Sequence, residues 1–279
     1  MAERIKVKTL KTFGEFEKLI PIQRAVWRHD DLDLTPVHQF CVSSRMGAIL
    51  LGAYIGPDLT GFVYSFPAVF QGKNCQHSHL LAVLPEFQGR GIGKILKWAQ
   101  REEALRRGVQ FVTWTFDPLQ ARNANLNLQA LGGISRTYIP NFYGLTASLC
   151  LGPGIPTDRL LIEWPIREAR VRRRARGGTK KEEMDSGGFP KALERRTKGE
   201  GTDLRPGGPR LDLRNETLLV EAPPVVREMR GRPEAIAEWQ AKLRRTMTHY
   251  FGRGYRADHF VYGERCFYVL RKIPPGTGK

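Results

Sequence analysis

The sequence has few cysteines, and their positions do not indicate a metal site. Cys41, Cys75, Cys150 and Cys266 are widely separated, with no Cys-x-x-Cys pair and no His–Cys cluster. Their scarcity excludes the usual zinc-binding motifs, and we expect no bound metal. The first six residues also lack the apolar core of a secretory signal. We therefore expect a reduced, cytoplasmic protein.

The sequence also lacks an apolar run that could cross a membrane. The longest stretch without charge, residues 137–157, contains three prolines and three glycines. A segment interrupted in this way could not satisfy its backbone hydrogen bonds in lipid. We therefore predict no membrane partner.

Acidic residues are scarce relative to basic ones, and the excess of positive charge is uneven. The chain has 28 Asp+Glu against 45 Lys+Arg, a formal net charge of +17. Changes in composition divide it into residues 1–166, 167–214 and 215–279, with net charges of +5, +7 and +5. The middle segment contains 8 Gly, 3 Pro and one aromatic residue, Phe189. Because it cannot form a core of its own, it is predicted to be a basic, partly disordered linker.

The chain as a whole has the apolar content of a folded protein, since 41% of its residues are hydrophobic. Alternation over residues 5–10 predicts a strand, and helical spacing of apolar residues over 13–27 predicts an amphipathic helix. Residues 47–54 and 61–70, separated by a Gly-Pro-Asp turn, predict adjacent antiparallel strands. A fourth strand is predicted at about 77–83.

A second group of elements follows a glycine-rich loop. Periodicity predicts a helix over residues 92–107, a strand over 111–116, a short helix over 122–131 and extended chain over 134–138. The predicted buried stripe of the first helix consists of Ile92, Ile95, Leu96 and Ala99. The fold class is therefore predicted as α/β (α+β), with a mixed, mostly antiparallel sheet flanked by helices.

The glycine-rich loop is the feature with the clearest chemistry. Gly89, Gly91 and Gly93 come directly before or at the start of the predicted helix. Backbone N–H groups of such a loop and of a helix N-terminus converge on an anion, and glycines let a phosphate approach the backbone. Arg90 and Lys94 add positive charge. The loop is therefore predicted to bind phosphate.

A Rossmann-type dinucleotide site is the alternative that a glycine loop raises. It would need a GxGxxG spacing almost directly after the strand, early in the chain, and an acidic residue about 20 positions later. This loop reads GxGxG, lies five residues past its strand and follows three predicted antiparallel strands. Asp117, at the end of the next strand, is the one feature that fits, so this alternative is not favoured.

The loop resembles the signature of the GNAT acyltransferases. Residues 88–93, Q-G-R-G-I-G, match the family motif Q/R-x-x-G-x-G/A, and residues 83–87 match the segment that usually precedes it. The order of strands and helices agrees from Ile5 to about Trp164. The chain also resembles an uncharacterised bacterial branch of this superfamily. The resemblance implies a GNAT-like domain in residues 1–166.

The resemblance further implies acetyl-CoA as the acyl-donor co-substrate. Its pyrophosphate would contact the loop backbone, and its pantetheine arm would run beside the preceding strand. Asn123, on the short helix, is a further candidate for contact with the cofactor. The implied cofactor-binding residues are Leu81, Ala82, Val83, Gln88, Gly89, Arg90, Gly91, Ile92, Gly93, Lys94 and Asn123.

The candidate catalytic residues are two histidines and a tyrosine. In this family the base is often a group on the strand before the loop, and His77 and His79 lie two apart on that strand, hence on one face. The usual acid is a tyrosine near the end of the next helix, but Leu128 or Gln129 occupies that place, depending on which of two glycines closes the helix. Tyr143 is the candidate substitute, with Tyr138 as an alternative.

The C-terminal segment, residues 215–279, predicts a smaller strand–helix–hairpin unit. A strand is predicted at 218–221, a helix from Pro233 and a hairpin at 259–270. The predicted buried stripe of the helix consists of Ile236, Trp239, Leu243, Met247 and Tyr250. Because a GNAT domain finishes with the same order of elements, one hypothesis is a partial GNAT repeat.

The sequence therefore predicts an acyl-CoA-dependent N-acyltransferase that acts on a small-molecule amine or a peptide. Two alternatives stay open. The first is a nucleic-acid-binding protein on a GNAT scaffold. The charge of +17 and the arginine run in residues 170–176 favour it, although no zinc, RNP or KH pattern supports it. The second is a non-catalytic CoA-binding regulatory protein, which is suggested by the absence of the expected tyrosine. The sequence leaves the acceptor and the oligomeric state open.

Overall fold

The structure is a computed structural model that describes residues 4–27, 31–144, 155–177, 187–196, 205–223, 229 and 231–274. Within the predicted linker, residues 178–186 and 197–204 lie outside the described residues, as does Cys150. No described helix is long and apolar enough to cross a membrane.

Seven α-helices and eleven strands are numbered in chain order through the described residues. The helices are α1 Phe13–Glu17, α2 Leu19–Trp27, α3 Val37–Arg45, α4 Ile92–Arg106, α5 Ala121–Ala124, α6 Ala169–Ala175 and α7 Pro233–Gly252. The strands are β1 Ile5–Thr9, β2 Ile49–Ile55, β3 Asp58–Phe70, β4 Lys73–Val83, β5 Phe111–Phe116, β6 Ile134–Ile139, β7 Arg159–Pro165, β8 Lys191–Leu193, β9 Thr217–Ala222, β10 Tyr255–Val261 and β11 Cys266–Lys272.

The chain divides into two compact units. The first comprises Met1–Trp114 and Trp164–Ala175, and the second comprises Thr115–Glu163 and Arg176–Lys279. This division differs from the boundaries predicted at residues 166 and 214, which stay a prediction. The predicted linker contributes α6 to the first unit and β8 to the second.

The strands of the first unit follow the order β1-β2-β3-β4-β5. The first three pairings are antiparallel, and β5 joins β4 in parallel. β3 and β4 form a hairpin through Gln71 and Gly72, which both have positive φ, as the right-handed twist of two-residue hairpins favours. The predicted mixed, mostly antiparallel sheet is confirmed.

Aromatic side chains fill the space between the N-terminal helices and the sheet. Phe40 on α3 contacts Phe62 and Tyr64 edge-on, with ring centroids 6.4 and 5.1 Å apart. The hydroxyl of Tyr64 shares a hydrogen bond of 2.7 Å with Ser43 Oγ. The polar end of the tyrosine therefore has a partner inside the core.

The second unit has its own mostly antiparallel strands, in the order β7-β6-β10-β11-β9-β8. α7 contacts β6, β8, β9 and β10. All five residues of its predicted stripe are buried, which confirms the helix and its orientation. The hairpin of β10 and β11 pairs with β6 on one side and with β9 on the other. The partial-repeat hypothesis stays a prediction.

One prediction for the first 45 residues was wrong, and one helix there was not predicted. The single helix expected over 13–27 is divided into α1 and α2 at Lys18, because Pro21 lacks the N–H that would bond to the carbonyl of Glu17. Proline is tolerated in the first turn of the new helix. α3 was not predicted at all, since its buried residues are Phe40 and the polar Ser43.

The buried face of α4 also differs from the predicted stripe. Ile92 and Leu96 are buried as expected, but Ile95 is 38% exposed. Lys97 and Gln100 are buried instead. Their polar atoms hydrogen-bond to each other and to β4, which is the condition for burying such groups.

A buried carboxylate links α7 to the strands of the second unit. Asp158 is fully buried, and Arg244 on α7 donates to both of its oxygens at 2.8 Å. The hydroxyl of Tyr138 donates to it at 2.7 Å and the N–H of Asn141 at 3.0 Å. Burial, followed by the charge of Asp158, raises the pKa of Tyr138 well above its ordinary value.

We expect Arg244→Met to destabilise the protein by about 3 kcal/mol, because the substitution leaves Asp158 buried without a counter-ion. Methionine retains part of the packing of the arginine stem. Arg245→Met, at the exposed neighbouring position, is the matched control and should change stability by less than about 0.5 kcal/mol. Urea unfolding measures both, and equal losses would contradict the prediction.

Candidate functional site

The glycine loop places backbone N–H groups of α4 beside open space. Gly89 and Gly91 have φ of +83° and +79°, a left-handed conformation that favours glycine. Gly91 is the N-cap of α4, and no side chain caps the first turn. A Cβ built at either glycine would meet no atom within 4 Å. The free N–H groups at the start of α4 therefore have room for an anion.

The loop is held against the end of β4. The side-chain amide of Gln88 donates to the carbonyl of Val83 at 3.0 Å. A Cβ at Gly93 would lie 3.8 Å from Leu81 Cδ2, so α4 begins in contact with the strand. The Arg90 guanidinium lies over the ring of Phe87, 5.1 Å from its centroid. The predicted pyrophosphate loop and the predicted pantetheine strand are thus adjacent.

β4 and β5 pair only briefly. Their register contains the pairs Gln76–Val112 and His77–Thr113. β4 continues from Ser78 to Val83 without a further partner on β5 among the described residues, although it pairs with β3 along its other edge. The backbone edge of β4 that faces β5 is therefore left for another extended chain.

A β-bulge lies within the same stretch of β4. Ser78 pairs with Ser65 on β3, and Leu80 pairs with Tyr64, so His79 is the extra residue. Leu80 consequently packs into the core cluster that contains Tyr64, on the same side as the His79 ring.

His77 and His79 lie on one face, as predicted. Both rings contact Phe66, at centroid distances of 5.5 and 5.9 Å. His77 Nδ1 is hydrogen-bonded to Thr113 Oγ1 at 3.0 Å. Burial, assisted by the charges of His79 and Lys97, lowers the pKa of His77 to about 4. Loss of solvation beside the aromatic rings also lowers the pKa of His79, although that residue is exposed.

Asn123 and Tyr143 belong to the second unit. Asn123 is exposed, whereas Asn127, four residues later, is buried. The difference arises because the helix widens to a π-helix from Asn125 to Ala130, which alters the spacing of side chains. Tyr143 is 43% exposed in a turn, and its ring lies under the Arg159 guanidinium. Their roles stay predictions.

The position expected for the family's tyrosine is part of the apolar core. Leu128 is fully buried in the second unit. Gly132, with φ of +76°, ends the helix, and the N–H of Gly133 donates to the carbonyl of Asn127. The structure therefore contains a hydrocarbon side chain at the place where the resemblance implies a proton donor.

The sequence did not reveal a buried polar cluster around Lys97. This side chain is 2% exposed, and its ammonium nitrogen lies 3.7 Å from the ring centroid of Trp114 and 5.3 Å from that of Trp164. It donates to Gln100 Oε1 at 2.6 Å and to Ser78 Oγ at 3.1 Å. No carboxylate among the described residues pairs with it. Burial lowers the pKa of Lys97 well below its ordinary value.

Within the described part of the chain, no group of three or more His, Cys, Asp or Glu side chains could hold a metal ion.

Comparison with known proteins connects this geometry to one family. Residues 15–132 match the model of the "Acetyltransferase (GNAT) family". That segment contains β2 to β5, the glycine loop and α4, so the resemblance read from the loop motif is confirmed over it. None of the curated proteins matches the chain.

Solved structures of acetyltransferases align with about 60% of this chain. One is the ribosomal-protein-S18-alanine N-acetyltransferase from Escherichia coli, with 17% identity, a TM-score of 0.47 and coverage of 60% of this chain and 96% of that chain. Another is a putative acetyltransferase from Salmonella typhimurium with acetyl-CoA, with 16% identity, a TM-score of 0.47 and coverage of 59% of this chain and 95% of that chain. A third is the PaiA N-acetyltransferase from Thermoplasma acidophilum with coenzyme A, with 13% identity, a TM-score of 0.41 and coverage of 58% of this chain and 99% of that chain. These identities are too low to indicate a substrate.

We expect the stability difference between the wild type and Lys97→Met to depend on pH. Because burial lowers the pKa of Lys97 in the folded state, the unfolded chain binds more protons up to the ordinary lysine pKa. The wild type should therefore gain stability relative to Lys97→Met as pH rises from about 7 to 10, by at most about 1.4 kcal/mol per pH unit.

Thermal or urea unfolding at several pH values measures this difference. The same comparison with Lys94→Met, one turn earlier on α4, reports the background pH dependence. A difference between the wild type and Lys97→Met that stays constant over this range would show that burial does not disfavour the ammonium form.

Proposed function

We propose that the protein is an acyl-CoA-dependent N-acyltransferase that transfers an acetyl group from acetyl-CoA to an amine, directly and within a ternary complex. The observation that supports this proposal is the open glycine loop at the start of α4. It follows the part of β4, after His77, that has no β5 partner among the described residues, and it lies inside the segment that matches the acetyltransferase family. A CoA-type ligand needs both features together.

The loop fits a pyrophosphate. A long side chain at Gly89 or Gly91 would extend into the open space in front of the N–H groups, whereas glycine leaves that space free for an anion. Arg90 is exposed and Lys94 half-buried, so their charges can complement an anion without a cost of deep burial. No acidic residue lies in the first turn of α4 to oppose it.

The edge of β4 fits the pantetheine arm. Leu81, Ala82 and Val83 offer backbone groups along the side from which β5 is absent. The arm carries two amide groups, so it can pair with these residues as an added strand would. When bound, acetyl-CoA supplies the activated acyl group, and the protein positions it for attack by the amine.

His79 suits the role of base better than His77. A general base works best when its pKa lies near the working pH. The pKa of about 4 leaves His77 neutral but weakly basic, and its Nδ1 is engaged with Thr113. His79 is exposed, so an acceptor amine can reach it.

Direct transfer is favoured over a covalent acyl-enzyme. The described cysteines that are buried, Cys75 and Cys266, have thiol pKa values raised by burial, which disfavours the nucleophilic thiolate. The acceptor would be a small-molecule amine or a peptide. The exposed His79 is compatible with either.

A CoA-binding protein without turnover is the second candidate. It is favoured by Leu128, because a buried leucine cannot donate the proton that the family's tyrosine gives. Release of free thiol from acetyl-CoA in the presence of an amine would exclude this candidate.

We expect acetyl-CoA to stabilise the wild type and Gly91→Ala but not Gly91→Glu. Both variants carry the same left-handed strain at a φ of +79°, about 1–2 kcal/mol, so the difference between them comes from the longer side chain of glutamate and from its carboxylate, which would repel a pyrophosphate. At a hundred times its dissociation constant, the ligand should stabilise a competent protein by about 2.7 kcal/mol.

Thermal unfolding with and without acetyl-CoA measures this effect. Stabilisation that survives in Gly91→Glu would place the ligand elsewhere. No stabilisation of the wild type would remove the proposed function.

With an amine that supports thiol release, His79→Gln should lower the rate by a factor of about 10² to 10⁴, as loss of a general base does. His77→Gln, on the same strand face, should have a much smaller effect because His77 is a weaker base. A thiol-capture assay measures both rates. A larger loss in His77→Gln would reverse this assignment.

A further inference from the structure

Ser78 lies at the point where β4 and β5 stop pairing. It follows His77, the last residue of β4 with a partner on β5. Its side chain points towards α4, since Lys97 and Gln100 are its hydrogen-bond partners. Ser78 is 7% exposed, so these contacts lie inside the first unit.

The hydrogen bonds around Ser78 leave its hydroxyl group free to act only as a hydrogen-bond donor. Lys97 Nζ and Gln100 Nε2 each donate to Ser78 Oγ at 3.1 Å. Lys97 and the side-chain amide of Gln100 are donors in these contacts, so both acceptor positions of the oxygen are used. The hydroxyl hydrogen is then available as a donor, and no described residue accepts it.

Among the residues that the structure describes, no carboxylate serves as a counter-ion to the ammonium of Lys97. Gln100 Oε1 orients it, and the faces of Trp114 and Trp164 contact it in an otherwise apolar environment. An ammonium so far from water gives up a proton more easily than an exposed one. His77 is the other titratable group that senses this charge.

We propose that Ser78, supported by Lys97, is the proton donor to the sulfur of the departing CoA. This inference rests on the proposed function and gives the site the proton donor that the leucine at position 128 cannot supply. Ser78 would be the catalytic residue and Lys97 a positioning residue that acts through it.

The spacing along β4 agrees with this assignment. Because of the bulge at His79, the stretch of β4 from Val83, beside the glycine loop, to Ser78 pairs with only Gly61 to Ser65 on β3, four steps that span roughly 13 Å. The pantetheine arm has about a dozen bonds between its phosphate oxygen and its sulfur, roughly the length of four to five extended residues. An arm laid along the edge of β4 from the loop would bring its sulfur near Ser78.

The protons balance over one cycle. The amide C–N bond forms and the thioester C–S bond breaks, and the sulfur takes the proton of the Ser78 hydroxyl. Ser78 Oγ takes a proton from Lys97 Nζ, which becomes a neutral amine and so loses the penalty of a buried charge. The attacking amine releases one proton when it becomes an amide. That proton passes to His79 and then to solvent, and solvent returns one to Lys97.

The test compares binding of CoA with binding of desulfo-CoA, which lacks the sulfur, and needs no acceptor. Isothermal titration at mildly alkaline pH should give the wild type a preference of about tenfold for CoA, the value of one charge-assisted hydrogen bond. Ser78→Ala should lose this preference while binding desulfo-CoA as the wild type does. Ser65→Ala is the matched control, since Ser65 is buried, lies opposite Ser78 on β3 and bonds to Gln76 instead.

A second measurement follows the ultraviolet absorbance of the bound thiolate against pH. In the wild type and in Ser65→Ala the thiol should titrate below its value in free CoA, because a hydrogen bond donated by Ser78 favours the thiolate. This shift should be lost in Ser78→Ala and in Lys97→Met, which keeps the packing of the lysine stem but not the nitrogen that donates to Ser78.

The outcomes separate the two proposals. If no protein binds either ligand, the proposed function fails. If CoA binds and Ser78→Ala keeps both the preference and the thiol shift, this inference is overturned and the proposed function stands. If Ser65→Ala loses them as fully as Ser78→Ala does, the effect is structural and the inference is again overturned.

Discussion

The short pairing between β4 and β5 is the constraint on which the site depends. A parallel strand that stayed in register to Val83 would occupy the backbone groups offered to a ligand. Because the pairing stops at His77 and Thr113, the edge of β4 becomes available, and the residue at that point, Ser78, adjoins the gap. The glycine loop then needs only to hold the far end of an extended ligand. The short β4–β5 pairing thus determines both the shape of the sheet at this point and the place of the proposed chemistry.

The structure treats buried charge in two different ways. Asp158 has a bidentate partner in Arg244 and two further donors, an arrangement that fixes α7 on its strands. Lys97 has aromatic faces and neutral acceptors instead. The charge of Asp158 is matched by an arginine, whereas the Lys97 ammonium is held only by dipoles and rings, and its burial favours loss of the proton. The first pattern suits a structural element and the second suits proton transfer.

The sequence predicted regular elements and the loop better than it predicted the inside of the site. Strand β5 agrees with the prediction residue for residue, because its β-branched and aromatic run has sharp ends. The Lys97 cluster was missed because a lysine among helical positions is usually exposed, and periodicity weighs apolar residues only. The signal was the spacing of Gly93, Lys97 and Gln100, which share a helix face at intervals of four and three. Only the neighbouring strand shows that this face is buried.

The extra residue in β4 changes which side chains point to each face of the strand before and after the bulge. His77 and His79 face the N-terminal helices, whereas Leu81 and Val83 contact Gly93 on the side of α4, although all four positions are odd-numbered. A strict two-residue period would place them together. Insertion or deletion of one residue at the bulge would therefore exchange which side chains line each face, while the hydrogen-bonded strand itself persists. A change of one residue at the bulge could therefore alter the side chains of the site while the glycine loop and the backbone edge of β4 stay the same.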